Sequence, residues 1–371
     1  MRNTLFVERD ADNVYLNISI NHPGANYSPG FNSTNEQPVL ATYDVTKDTP
    51  ILDQPGNYYL SVIKFDIPLT TIPLLICKVI PNQPNPDLCQ MSVGINYLGV
   101  NYPINLIYTA ENTLLPPVQS NVKQVITPYY YVFSYQTILR MFNFAFNDVW
   151  VASGLAAAFP AFRSPFVFLN EATGLLDVVV SAPFVAINPP RLFMNQSSAN
   201  YLSAFETKFY GYNQPAGRDY DFVLNGGLPA QPDTFYDIGG TTYYRYSQDY
   251  STLENWAILR KLLITSTGLP TNNEYIPSRS DNDSQNASMP IISDFTPIVN
   301  SIGDNSAICY YVPTSQWKLS DMTAGSPIQR VDLQVYWEDA NNNIYPLYIP
   351  LYQQVNIKIA FLNKRLYRYG K

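Results

Sequence analysis

Two segments near the end of the chain carry the clearest pattern. Val331, Leu333, Val335 and Trp337 alternate with Asp332, Gln334, Tyr336 and Glu338. After a turn at Asn341-Asn342-Asn343, Val355, Ile357, Ile359 and Phe361 alternate with Asn356, Lys358 and Ala360. A period of two places one face of an antiparallel strand on a core and the other in water. Residues 13–20 repeat it, with Val14, Leu16, Ile18 and Ile20 set between Tyr15, Asn17 and Ser19. Other runs are rich in β-branched and aromatic residues. Residues 58–67 (YYLSVIKFDI) predict a strand stopped by Pro68, and 72–79 predict another, bounded by the proline-rich PNQPNPD. Residues 91–97 and 103–108 predict a hairpin about Leu98-Gly99, and 128–133 a further strand. Residues 167–180 predict a strand, a turn over 170–174 and a returning strand.

One segment has a helical period instead. Ile138, Met141, Phe142, Ala145, Phe146 and Val149 fall three or four apart, on one face. Ser134 is placed to cap the first turn, although Thr137 stands where a full capping box has Glu or Gln. This predicts one helix packed on a sheet. A weaker helical island is expected at 253–264.

Composition shifts set the expected domains. Residues 1–55 are polar, with turn signals at His22-Pro23-Gly24, Ser28-Pro29-Gly30 and Gln54-Pro55-Gly56, and read as an N-terminal arm with short strands. Residues 56–210 carry the first block of strands and 301–371 the final ones. Residues 211–300 are rich in Gly, Pro, Tyr, Asp and Asn. They read as an inserted loop-rich subdomain, because loops this long in a compact domain are usually functional. The expectation is an all-β sandwich with that insertion and one packed helix.

Charge narrows the function classes. Charged residues are 14% of the chain, against about 25% in an ordinary domain. Tyr and Pro number 30 each. Tyrosine gives amphipathic contact area at small entropic cost, which suits broad protein–protein interfaces. There is one histidine, His22, and there are three cysteines, Cys77, Cys89 and Cys309. General acid–base and nucleophilic catalysis draw heavily on these residue types. A structural or binding protein is expected, not an enzyme, with no catalytic, cofactor-binding or metal site. The net charge of −7 offers no basic field for nucleic acid. Five of the 22 basic residues, Lys358, Lys364, Arg365, Arg368 and Lys371, do fall in the last fourteen positions. They read as a solvated chain end, or else as a tail touching an acidic partner or packaged nucleic acid.

The N-terminal residues MRNTLFVERDADN hold no apolar stretch after Arg2, and no apolar run is long enough to span a bilayer. Neither a secretory signal nor a membrane-spanning segment is expected. The cysteines have no pairing or zinc spacing and read as buried thiols in a reducing compartment. Asn17, Asn26, Asn32, Asn195, Asn282 and Asn286 head Asn-X-Ser/Thr triplets, which a chain rich in Asn and Ser produces by chance; they read as unmodified. Gly226-Gly227 and Gly239-Gly240 lack the spacing, lysine and helix of a phosphate cradle. Arg218, Asp219 and Asp221 supply too few regularly spaced oxygens for a calcium loop. No acidic motif marks a glycosidase pair. His22, before Pro23 in a polar turn, reads as a surface residue.

The order of the pieces resembles one family. Thr49-Pro50-Ile51-Leu52-Asp53 leads into 58–68, and residues 134–147 follow. Next come the hairpin ending Leu176-Asp177-Val178-Val179-Val180 and then Arg191-Leu192-Phe193-Met194-Asn195. Residues 331–338, Asn343-Ile344-Tyr345-Pro346-Leu347 and Ile357-Lys358-Ile359-Ala360-Phe361 close the chain. Together these are similar to the penton-like minor capsid proteins of Polinton-like viruses, virophages and related double-stranded DNA viruses, over most of the chain outside 211–300. The resemblance implies a jelly-roll β-sandwich that assembles as a homopentamer at the vertices of an icosahedral shell. It implies neighbouring hexamer-forming major capsid proteins built from double jelly rolls, a virion location and synthesis in a reducing host compartment. No catalytic residue is implied, since the family has none to match. The 211–300 insertion departs from shorter members, and a fibre or receptor is the expected partner there. Two other readings stay open. One is a major capsid protein, which a chain of this size fits only tightly. The other is a virion spike or carbohydrate-binding module, with Tyr and Trp stacked on sugars.

Overall fold

The computed structural model describes residues 3–10, 12–22, 38–68, 71–111, 128–186, 188–211, 217–224, 234–238, 241–252, 256, 259–272, 274–275, 289–296, 308–311, 318–323, 325–339 and 342–367. The chain forms two compact units: Met1–Pro73 with Ile258–Lys371, and Leu74–Ala257. In chain order the first unit begins with β1 (Thr4–Arg9), β2 (Val14–Asn21), β3 (Thr42–Thr46) and β4 (Tyr58–Pro68). The second unit supplies β5 (Leu88–Tyr97), β6 (Val100–Ile107), α1 (Tyr135–Ala152), β7 (Phe166–Asn170) and β8 (Leu175–Ser181). It continues with β9 (Arg191–Met194), β10 (Thr207–Phe209), β11 (Tyr220–Phe222), β12 (Thr234–Ile238) and β13 (Thr241–Ser247). The first unit resumes with β14 (Leu259–Thr265), β15 (Met289–Phe295), β16 (Ile308–Tyr311), β17 (Ser320–Asp321), β18 (Arg330–Asp339) and β19 (Gln354–Asn363).

Two antiparallel sheets dominate the first unit. One runs β1-β2-β19-β4-β16, with β17 also paired to β4. The other carries β15-β14-β18, with β3 and Ile344–Pro346 paired to β18. The alternation in the sequence sets the buried faces. Val14, Leu16, Ile18 and Ile20 of β2 are all buried, as are Val331, Leu333, Val335 and Trp337 of β18 and Val355, Ile357, Ile359 and Phe361 of β19. Phe65 of β4 meets Phe295 of β15 edge-on, with ring centroids 4.9 Å apart, so the inner faces of the two sheets interdigitate. Strand β4 does not keep strict alternation. Leu60 and Val62, then Phe65 and Ile67, are buried, and a register shift opposite Lys358/Ile359 absorbs the extra residue. A bulge there keeps both halves of the apolar set on the core side. Between the other side chains of this sheet, Ser19 Oγ donates to Asn356 Oδ1 (2.6 Å) and Asn356 Nδ2 donates to Asp66 Oδ2 (2.7 Å). This polar rung crosses β2, β19 and β4.

The turn after β14 is fastened to β18. Asp332 accepts from Ser266 Oγ (2.8 Å), the amides of Thr267 (2.9 Å) and Gly268 (2.6 Å), and the Thr267 hydroxyl. A Cβ on Gly268 would stand 2.6 Å from Asp332 Oδ1, so glycine lets the backbone close on the carboxylate. Burial pushes the Asp332 carboxyl up, but the hydrogen bonds from Thr267, Ser266 and Gly268 outweigh it and hold the group below its ordinary value. Folding therefore favours the charged form. That stability is present above the unfolded carboxyl pKa, about 4, and is lost as pH falls through the lower folded value. Asp332→Ala is expected to cost about 1–2 kcal/mol at neutral pH, discounted because the site is partly solvated. The cost should shrink as pH falls through the lowered folded value. Urea unfolding of both proteins at neutral and acid pH checks this; an equal cost at both would show that the carboxylate charge does not hold the turn.

In the second unit a five-stranded sheet runs β10-β11-β9-β5-β6 and a four-stranded sheet β7-β8-β13-β12. Helix α1 forms as its period requires. Ser134 Oγ accepts from the Gln136 amide at 3.1 Å, and all six residues of the apolar face are buried. They share one core cluster with Val93, Ile95 and Leu106 of the five-stranded sheet and with Val167 and Val178 of the four-stranded one. The β5–β6 hairpin turns on Leu98 (φ 50°) and Gly99 (φ 82°), both in the left-handed region that a two-residue hairpin favours.

The boundaries differ from those expected of the sequence. The separate compact segment is Leu74–Ala257 rather than 211–300, and β14 and β15, which lie inside 211–300, pair within the first unit. The 56–210 block is divided after Pro73 for the same reason. Gly, Pro and Tyr content reports on local backbone, whereas sheet membership depends on partners far along the chain. Nor do the described residues of 1–55 form an arm, because β2 is an interior strand between β1 and β19. Of the helical reading of 253–264, residues 253–255 and 257–258 lie outside the described residues, and 259–264 belong instead to β14, where Leu262, Leu263 and Ile264 are buried in succession. A short apolar run covered on both faces does not distinguish strand from helix. The strands expected at 72–79 and 128–133 shorten to Leu75–Ile76 and Tyr131–Val132, which pair with each other. The fold is mostly antiparallel β, with α1 in the core of the second unit.

Candidate interaction surfaces

Asn195 follows β9 and its side chain makes three hydrogen bonds. Its Oδ1 accepts from the amides of Ser198 (3.0 Å) and Ser92 (3.1 Å), and its Nδ2 donates to the Gln90 carbonyl (2.8 Å). It caps the short Gln196–Ala199 helix and ties it to β5. The amide of this triplet is thus committed to the fold. The triplets at Asn26, Asn32, Asn282 and Asn286 lie outside the described residues.

Arg218 grips Asp221 through two bonds, one of them 2.6 Å from Nε, and reaches Asn101 Oδ1 at 3.2 Å. Its guanidinium lies over the rings of Phe193 (5.7 Å) and Tyr210 (5.3 Å). The fully buried Phe193 ring covers Gly94, where an added Cβ would come within 2.1 Å of it. Asp219 is buried and accepts from the Gln196 amide at 2.9 Å. Arg218, Asp219 and Asp221 therefore form a structural clamp joining β11, β9 and the 196–199 helix. In the sequence these residues are weighed only as a cation site; the ion pair and the rings that complete it depend on the folded backbone.

The second unit also presents apolar groups to solvent. Leu98 at the hairpin tip is 85% exposed, and Val100 and Ile107 on the edge strand β6 are exposed too. Phe144 and Val151, seven apart on α1, point away from its core. Near the end of β9 a cavity of about 320 Å³ is lined by apolar Met194, Leu202 and Phe205 and by polar Gln196, Asn200 and Tyr220. Tyr220 Oη donates to Gln196 Oε1 (2.7 Å), and Gln196 Nε2 donates to Asn200 Oδ1 (3.1 Å). Surfaces of this kind suit protein contacts or neutral polar ligands. Among the described residues, no three His, Cys, Asp or Glu side chains converge as metal ligands.

Cys77 and Cys89 are fully buried, with their Sγ atoms 2.8 Å apart. The Cys77 amide donates to the Tyr130 carbonyl at 2.9 Å, and Cys89 belongs to β5. Tyr108, Tyr129 and Tyr130 pack ring on ring beside them, with centroids 5.0 to 5.5 Å apart. The Cys89 hydrogen bond, then burial, holds the Cys77 thiol well above its ordinary pKa. Burial likewise raises the phenols of Tyr108 and Tyr130.

His22 is buried rather than superficial. It is 4% exposed and its amide donates to the Gln353 carbonyl at the end of the β2–β19 pair. Two of the C-terminal basic residues are engaged within the chain. Lys358 pairs with Glu8 at 3.5 Å and lies over the Tyr15 ring, while Lys364 pairs with Asp321 and donates to the Gly56 carbonyl at 2.7 Å. Arg368, Lys371 and both Gly-Gly pairs lie outside the described residues.

The family model of the Sputnik minor capsid protein V18/19 matches residues 14–363. The chain belongs to this family. Structural protein V19 of Sputnik virophage is 29% identical over 209 residues, covering 54% of this chain and 95% of V19. Protein V18 of the same virophage is 32% identical over 166 residues, covering 41% of this chain and 92% of V18. A chain of the Sputnik virophage structure from cryo-electron microscopy superposes with a TM-score of 0.75 at 27% identity, over 97% of this chain and 100% of that one. The crystallised mavirus penton protein has the same fold, with a TM-score of 0.59 at 16% identity over 94% and 99% of the two chains. This member of the family is a structural component of a virophage capsid, a minor capsid protein of penton-like fold and not an enzyme. No helix among its described residues is long and apolar enough to cross a membrane. The Arg218 clamp and the Asn195 cap hold a building block in shape.

Proposed function

We propose that this protein is the vertex subunit of the shell. In this reading Met1–Pro73 and Ile258–Lys371 form a jelly roll that closes into a ring of five, and Leu74–Ala257 is a domain inserted between β4 and β14. The observation that carries the reading is the strand order. Along the chain the strands β2, β3, β4, β14, β15, β16 with β17, β18 and β19 make eight steps. One sheet takes β2-β19-β4-β16/β17 and the other takes β3-β18-β14-β15. Strands from opposite ends of the set thus become neighbours, the pattern of two interlocked Greek keys. The fold shared with a penton protein supports the vertex assignment.

A closed ring needs one heterologous interface repeated around the axis. A chain poor in charge and rich in tyrosine suits it. The neighbours outside the ring are hexameric major capsid proteins with double jelly rolls. This chain is not itself a double jelly roll in this reading. The sheets of the second unit are built largely from sequence-adjacent hairpins, β5–β6, β7–β8, β10–β11 and β12–β13. Its exposed apolar groups offer a dock for a fibre or receptor. Arg365, which is exposed, and the basic residues after it are the candidates for contact with packaged nucleic acid. Synthesis takes place in a reducing host compartment. Native mass spectrometry across a concentration series tests the ring, together with a reconstruction of purified particles. A pentamer, placed at the five-fold vertices, is expected. A strict monomer that is absent from those vertices would sink the proposal.

A further inference from the structure

We propose that Cys77 and Cys89 form a disulfide, a redox-dependent staple across the loop of residues 78–88 in the second unit. At 2.8 Å the two sulfurs stand closer than non-bonded sulfurs normally approach, and a short movement brings them to the bond length of about 2.05 Å. Both are fully buried, so solvent does not separate them. Their backbones are already held in place. Cys77 is anchored through its amide to Tyr130, one residue from the Leu75–Ile76 strand. Cys89 sits in β5 and bridges Val79 in antiparallel register. The intervening loop contains Pro81, Pro84 and Pro86 and is held by Tyr130 Oη, which donates to the Pro86 carbonyl at 3.3 Å. A bridge would close this loop into a small ring and lock the Leu75–Ile76 edge to the five-stranded sheet. This raises the free energy of the unfolded chain by limiting its freedom.

The chemistry balances with a small-molecule disulfide as oxidant. One cysteine thiolate attacks a sulfur of oxidised glutathione and releases one glutathione thiol. The second cysteine thiolate attacks the mixed disulfide, forming the Cys77–Cys89 bond and releasing the second. The pair loses two protons and two electrons, and one glutathione disulfide is reduced to two thiols. The protonated, buried state of Cys77 makes this slow in the closed fold. The bond therefore forms during local opening of the folded chain, once it has left the reducing compartment. The inference is independent of the ring and the vertex assignment.

Differential alkylation of the full-length protein tests it. Tryptic cleavage after Lys78 separates the two cysteines, so a bridge appears as two linked peptides. After refolding in oxidised glutathione, and in protein taken from purified particles, the linked peptide is expected and alkylated Cys77 and Cys89 should be lost. Adding reductant should lower the melting temperature of the oxidised wild type and leave Cys77→Ala unmoved. Full alkylation of both thiols after oxidative refolding, or linkage of either to Cys309 instead, overturns the proposal. Should Cys77→Ala fail to fold, the wild-type alkylation map decides alone.

Discussion

Ile357→Asp in β19 is expected to abolish soluble, folded protein. Ile357 is 2% exposed and stands between Ile18 of β2 and Phe65 of β4 on the inner face of the sheet. A carboxylate there has no partner. It must stay charged among apolar groups or take up a proton, and either course costs several kcal/mol, a large share of the roughly 5–15 kcal/mol that holds a domain folded. Lys358→Thr, one residue on and facing the other way, removes a surface ion pair with Glu8 worth about 0–1 kcal/mol. Soluble yield and thermal unfolding of the two variants, measured side by side, check the register. Similar behaviour of both would mean that β19 pairs one residue out of step.

Replacing Leu74–Ala257 with a Gly-Ser linker is expected to leave a folded first unit, whereas replacing residues 213–300 is not. The first deletion retains β1 to β4 and β14 to β19, which form a compact unit through their own contacts. Linker closure adds little, because its entropy grows only slowly with length. The second deletion removes β15 and β14, and β14 lies between β15 and β18 with Leu262, Leu263 and Ile264 fully buried. Burial of each such side chain is worth about 1.5–3 kcal/mol, so their joint loss exceeds what a marginally stable domain can absorb. Circular dichroism and the cooperativity of melting distinguish the outcomes. An insoluble product from the first deletion, or a cooperative fold from the second, would overturn the division at Pro73 and Ile258.

Much of the local structure is legible in the residues themselves. The buried sets of β2, β18 and β19, the apolar face of α1 and its Ser134 cap, and the Leu98-Gly99 hairpin turn can all be read before any contact is known. Each is dictated by a short-range cause: strand side chains alternate at a period of two, helix side chains recur at 3.6, and a tight hairpin needs left-handed residues. Where local signals fail, the cause is equally physical. The run at Leu262 to Ile264 has no alternation because both faces of β14 are covered, so it passes for a helix. His22 reads as exposed from its polar turn, yet pairing at the end of β2 buries it.

By itself, then, the chain determined that this is a β-rich protein of low charge with one packed helix. It also determined which face of several strands is inside. Only the tertiary structure decided which strands share a sheet, where the second unit begins and ends, that Phe193 fills the space above Gly94 and receives Arg218, and that Cys77 and Cys89 touch. Those outcomes depend on partners far apart in sequence, such as Ser19 and Asn356, which are 337 positions apart and 2.6 Å apart in space. A local pattern specifies the face a residue presents. The group it meets there is settled by how the whole chain packs, because close-packed interiors accept only complementary shapes.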